Sequence, residues 1–200
     1  MRMKSTTDRK RLQRISERTK CVHESRIASN LLIFERDPSV ISLSAGEPDF
    51  NAPRNVIAAA KRSLDAGCTH YSPLQGRLEL REAIAAKVKK ENKVEATAEE
   101  VVVTSGSNEA ILLAMLSALN TGDEVIVPDL GYPSYSPIAK TIGAVPVPLR
   151  LEERDGFDVR PGQLEKLATD RTKMLVMNSP SNPTGTLLNR GTLEEIADVV

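Results

Sequence analysis

Beyond Thr97 the chain alternates between two hydrophobic periods. Short β-branched runs, VVVT (101–104), EVIV (124–127), AVPVPL (144–149) and MLVM (174–177), take turns with SNEAILLAMLSAL (107–119), YSPIAKTI (135–142), GQLEKLA (162–168) and TLEEIADVV (192–200). The first set reads as strands and the second as helices. Strands separated by helices need crossover connections, so they run parallel, and a parallel sheet has to be covered on both faces. The expected fold is therefore α/β, a three-layer sandwich with a largely parallel sheet.

Ahead of this pattern the signals are weaker. Residues 1–40 read as an N-terminal arm and a helix around Ile27 to Phe34, and residues 41–200 as part of one large domain. Met1 to Lys20 hold eight Arg/Lys against Asp8 and Glu17, which leaves nineteen basic and twenty-five acidic residues in a mildly acidic body. An exposed arm explains the basic stretch without a nucleic-acid partner, and no helix-turn-helix pattern fits there. VISLSAGEPDF (40–50) reads as a short strand broken by Gly46 and Pro48. Asn51 and Pro53 then open a helix that Gly67 closes, and a second helix over Glu79 to Glu91 places Leu80, Ile84 and Val88 on one face.

An apolar fraction of 40% supports a packed core and excludes a disordered chain. Cys21 and Cys68 form neither a disulfide framework nor a metal motif, and His23 and His70 lack ligand-like neighbours, so no metal is expected. No apolar run approaches the roughly 20 residues of a membrane crossing, and the basic start lacks the apolar middle of a secretory signal. A cytoplasmic location is expected. Thr192 and Glu195 form a capping-box pattern for the last helix, and the chain stops there without a C-cap signal. About two turns of isolated helix are marginal, so the chain is expected to be the front of a longer protein.

Ligands of parallel α/β sheets bind beyond the carboxyl ends of the strands, and three of those ends carry unusual loops. In VVVTSGSNEA the chain passes through Gly106 into Ser107 and Asn108 at a helix start, where backbone N–H groups and the helix dipole favour a phosphate. It is neither a Walker A loop nor a GxGxxG loop, and the alternative is that Ser107 simply caps the helix. In EVIVPDLGYPSY, Pro128 ends the strand and Gly131 presents Tyr132, a ring able to stack on a flat heteroaromatic ligand. Tyr135 reads instead as packing on the helix that follows. In MLVMNSPSNPTG, Asn182 is bracketed by prolines and followed by Gly185, which suits directional hydrogen bonding to a ligand, with an Asx-type turn as the alternative. No GxSxG elbow is present.

Taken in order, SAGEPDF, THYSPLQG, TSGSNEA, PDLGYPSY and NSPSNPTG resemble the class I/II aminotransferases of pyridoxal phosphate (PLP) fold type I, the aspartate aminotransferase group, from about Val40 to the end. The resemblance implies that Gly106, Ser107 and Asn108 hold the PLP phosphate and that Tyr132 stacks on the pyridine ring. It implies that Asn182 meets both the ring's 3-hydroxyl oxygen and the substrate carboxylate, and that the Asn182–Pro183 peptide is cis. Gly46 would line the substrate pocket through its backbone, and Tyr71 would reach the phosphate held by the other subunit of a homodimer. The family's catalytic lysine, the acidic partner of the ring nitrogen and the arginine for the α-carboxylate all follow the NPTG loop and would lie beyond Val200, so no catalytic residue is named here. The implied activity is transfer of an amino group between a small or acidic amino acid and a 2-oxo acid, with no sustained turnover by these 200 residues alone. A PLP-dependent lyase on the same scaffold is the alternative enzyme, and an effector-sensing domain of a regulator the alternative outside catalysis. One branch of aspartate-specific relatives has a lysine where this chain has Asn108, which leaves the substrate open.

Overall fold

The computed structural model describes residues 46–199 and ten scattered positions before them. The expected arm and the helix around 27–34 lie largely outside the described residues, as do Cys21 and His23. The chain forms two compact units, one drawn from Glu24–Ser105 and the other from Gly106–Val200. Among the described residues no helix is long and apolar enough to cross a membrane.

In the first unit, α1 (Arg54–Asp65) starts after Pro53, as its fixed φ favours, and ends as expected at Gly67. Gly67 adopts φ +74°, which lets the N–H groups of Ala66, Gly67 and Cys68 turn back onto the carbonyls of Arg62, Leu64 and Ser63. No residue of α1 is buried. The second helix, α2 (Leu78–Lys87), continues as a wider turn over Val88–Asn92 and stops where Lys93 takes a left-handed φ of +59°. Its buried contact is Ala85, while Leu80 stays half exposed, so the expected stripe is only partly used.

Two expected strands are absent among the described residues. Positions 101–104 carry no sheet ladder: Val103 N–H donates to Gln75 O at 2.9 Å, and no strand lies alongside. A β-branched run supplies the propensity for a strand but cannot supply the neighbour. The described positions within 40–50 likewise form no strand.

The second unit holds the expected sandwich. Strands β1 (Glu124–Asp129), β2 (Val145–Arg150) and β3 (Thr172–Leu175) are all parallel, in the order β2-β1-β3. Between and around them run α3 (Ser107–Ala118), α4 (Tyr135–Thr141), α5 (Pro161–Leu167) and α6 (Arg190–Val199). Side chains alternate across a strand, so β1 feeds two cores. Val125 and Val127 pack with Met115 of α3 and with Tyr135 and Ala139 of α4. Ile126 faces the other way, onto Leu149, Leu164 of α5 and Ile196 of α6. Helices thus cover both faces, which makes three layers. Met115, Leu149 and Leu164 are each 1% exposed, and full burial of such a side chain contributes about 1.5–3 kcal/mol.

The start of α6 corrects the capping expectation. Asn189, not Thr192, caps it: Asn189 Oδ1 accepts from Thr192 N–H at 2.9 Å, and Asn189 Nδ2 donates to Thr192 Oγ1 at 2.8 Å. Thr192 is already inside the helix and serves as the cap's partner.

The margins of the sheet differ. Val145 and Leu151 donate their N–H groups to Asp123 and Asp129 of the β1 side, so residues of that parity face inward. Pro146 and Pro148 have the opposite parity and lack an N–H, which leaves little for another strand to bond at the outer margin of β2. At the amino end of β1, buried Glu124 accepts from Thr169 Oγ1 (2.7 Å), Thr172 Oγ1 (3.2 Å) and the Arg171 guanidinium. The Thr169 hydroxyl, helped by Arg171 and Thr172, holds this carboxyl below the ordinary carboxylate range against the opposing effect of burial.

Candidate active site

Because β1 and β3 are adjacent and parallel, their carboxyl ends open on the same rim of the sheet. Beyond β1 the chain turns sharply at Gly131, where even a Cβ would meet Pro128 O at 2.4 Å. The turn delivers Tyr132 to the rim half-buried, edge-on to Tyr135 with ring centroids 5.5 Å apart at 74°. Tyr135 is buried in the core under α3 and α4, the packing role expected of it. Burial also pushes its phenol above the ordinary tyrosine range, so it stays neutral.

Tyr132 Oη donates to Asn108 Oδ1 at 3.0 Å. This bond joins the β1 exit to the first turn of α3, two motifs 24 residues apart. Gly106, with φ +82°, is the residue ahead of the helix, and α3 begins at Ser107. Ser107 is therefore not the cap, which removes the simpler reading of that motif. Ser107 and Asn108 are exposed, and the space where a Gly106 Cβ would stand is open.

The loop beyond β3 is held by its own polar groups. Ser181 N–H donates to Thr186 O at 2.9 Å and Gly185 N–H to Ser181 O at 2.8 Å, while Ser179 Oγ accepts Leu188 N–H at 3.1 Å. The Asn182–Pro183 peptide is cis, as expected, and so is Ser179–Pro180. An Asx-type bond is present, but its side chain is that of Asn178, whose Oδ1 accepts Asn182 N–H at 2.8 Å. The Asn182 side chain is exposed and makes no hydrogen bond with the described residues. Asn178 was not singled out in the sequence; the signal was an asparagine four residues before Asn182 in a segment where two prolines remove competing donors.

Gly46 and Tyr71 belong to the other unit and are both exposed there. On the rim, the donor set suits PLP. A helix start with two polar side chains and open space before it fits a phosphate dianion, Tyr132 offers a ring at the sheet edge, and the Asn182 carboxamide retains its hydrogen-bonding capacity for a ring oxygen.

Residues 38–200 match the family model of aminotransferase class I and II. The aspartate aminotransferase of Pyrococcus abyssi is 42% identical over 185 residues, covering 92% of this chain and 48% of the relative. The aromatic-amino-acid aminotransferase 2 of Thermococcus litoralis is 40% identical over the same shares. Among solved structures, the aspartate aminotransferase of Thermus thermophilus with maleate superposes with a TM-score of 0.88 at 37% identity, over 92% of this chain and 50% of that one. The chain spans about half the length of the relatives it matches. With the three-layer fold and the rim in place, the matched region assigns the chain to its family: it belongs to the class I and II aminotransferases.

Proposed function

We propose that the whole protein is a PLP-dependent aminotransferase, moving an amino group between an amino acid and a 2-oxo acid. The observation that carries this reading is the Tyr132–Asn108 bond, which ties an aromatic ring to a helix start on the rim where the Asn182 loop also emerges. Gly106, Ser107 and Asn108 hold the phosphate, the first through its backbone and the others with side-chain donors as well. Tyr132 lies against the pyridine ring, and Asn182 donates to the ring oxygen and orients the substrate carboxylate. Gly46 lines the substrate pocket, and Tyr71 serves the second subunit of a cytoplasmic homodimer. Bound there, PLP supplies the electron sink that makes the substrate α-proton removable. The residues of this chain bind and orient, and none of its lysines is assigned to the proton transfer.

The test uses a polypeptide of the relatives' length that contains this chain. It is expected to bind PLP with a visible absorption band and to exchange amino groups between an amino acid and a 2-oxo acid. N182A should weaken PLP binding and change that band. Failure to bind PLP at all, by a folded protein, overturns the reading.

A further inference from the structure

We propose that Asn178 is a positioning residue for Asn182: it fixes, through the backbone, the carboxamide that meets the cofactor's ring oxygen. The proposal rests on the aminotransferase reading above. Within residues 180–183, Pro180 and Pro183 have no N–H, so Ser181 and Asn182 supply the two backbone donors of the segment. Ser181 N–H goes to Thr186 O at 2.9 Å, a contact inside the loop. Asn182 N–H goes to Asn178 Oδ1 at 2.8 Å, and that contact ties the loop tip to the sheet.

Asn178 can transmit rigidity because its own backbone is anchored. Val176 N–H still donates to Ile126 O of β1 at 2.9 Å, two residues before it. Asn178 is partly buried and Asn182 exposed, so the bond runs from a framed position to an unframed one. It sets the plane of the Ser181–Asn182 peptide and hence the direction of the Asn182 Cα–Cβ bond. Asn178 is not a ligand of the cofactor itself. Its Oδ1 is committed to the loop, and the hollow it lines with Pro128, Val176, Ser181 and Thr186, about 20 Å³, holds one water at most. Functional side chains depend on such supporting bonds to hold their geometry.

The test is a double-mutant cycle in the PLP-loaded polypeptide of the relatives' length. N178A, N182A, the double variant and N178D are compared by PLP dissociation constant and by the pH midpoint of the visible absorption band. N178S, whose hydroxyl is too short to reach, gives a second loss variant. N178A and N178S should each weaken PLP by about fivefold, the scale of one hydrogen bond, and move the midpoint in the direction N182A moves it. N178A should add nothing once Asn182 is gone, and N178D, which keeps the acceptor, should restore most of the affinity. A full N178A effect in the N182A background overturns the proposal. So does an effect confined to the melting temperature of PLP-free protein with the midpoint unmoved. A silent N178A beside an active N182A overturns the proposal alone, whereas a silent N182A removes the site reading with it.

Discussion

Replacing Gly131 with alanine places a methyl group 2.4 Å from Pro128 O, 2.8 Å from Pro128 Cγ and 3.1 Å from Pro128 C. Ordinary non-bonded contacts lie near about 3.5 Å, so about 1 Å of space has to be opened. A rotamer change cannot provide it, because the nearest atom is backbone oxygen and the turn itself must shift. Overpacking costs about 1–3 kcal/mol, and the lack of a soft neighbour puts G131A in the upper half of that range. The same shift pulls Tyr132 Oη from Asn108, where the bond is 3.0 Å long. Urea unfolding followed by circular dichroism gives the stability. Y132F should cost about 1 kcal/mol in the native background and close to nothing in G131A, since the bond is already gone there. Gly162 provides the contrast. It lies in α5 with nothing within 4 Å of a Cβ, so G162A should be neutral or stabilise by about 0.5–1 kcal/mol. A G131A protein within about 0.5 kcal/mol of native would refute the steric reasoning, as would an undiminished Y132F effect in that background.

Other perturbations have equally definite outcomes. At Gly76, φ is +98° and a Cβ would stand 2.6 Å from Val103 Cγ2, so G76A combines a left-handed backbone cost of about 1–2 kcal/mol with a clash. Val103 Cβ itself would stand 2.7 Å from the new methyl, so adding V103A should offset only part of the clash, whereas V103G should relieve it and leave the backbone cost, as read by thermal melting; additive effects of G76A and V103G would refute this. N189A removes the cap of α6 and should cost about 1 kcal/mol, whereas T192V should cost less because Thr192 N–H still finds Asn189. The lowered pKa of Glu124 means that its ionised form favours the folded state above the ordinary value of 4.5, and that this stability is lost as pH falls through the lower folded value. E124Q should therefore be less stable than native near neutral pH, with the gap narrowing on acidification below that value. A gap independent of pH in urea titrations would assign the loss to packing instead.

Much of this architecture was legible because it is periodic. Val125, Ile126 and Val127 announce a strand buried on both faces, and the helices that bracket it carry the complementary apolar faces. What was misread needed non-local information. Positions 101–104 have a strand's composition, but a ladder needs a neighbour that no local pattern reveals. Thr192 with Glu195 and Asn189 with Thr192 are both acceptable caps on paper, and the choice follows from where the loop delivers the chain. At the rim, the sequence identified each motif separately. It did not pair Tyr132 with Asn108 across 24 residues, nor show which of two asparagines in NSPSN would be spent inside the loop.

The prolines of β2 give the sheet a direction of growth. Since the outer face of that strand offers so few donors, a strand arriving from elsewhere, whether from the same polypeptide or from a stray copy, finds its hydrogen-bonding template along β3 instead. Lateral accretion is thus disfavoured on one flank by two missing hydrogens, and among the described strands the donors a newcomer could use lie on the other flank, along Thr172 to Leu175.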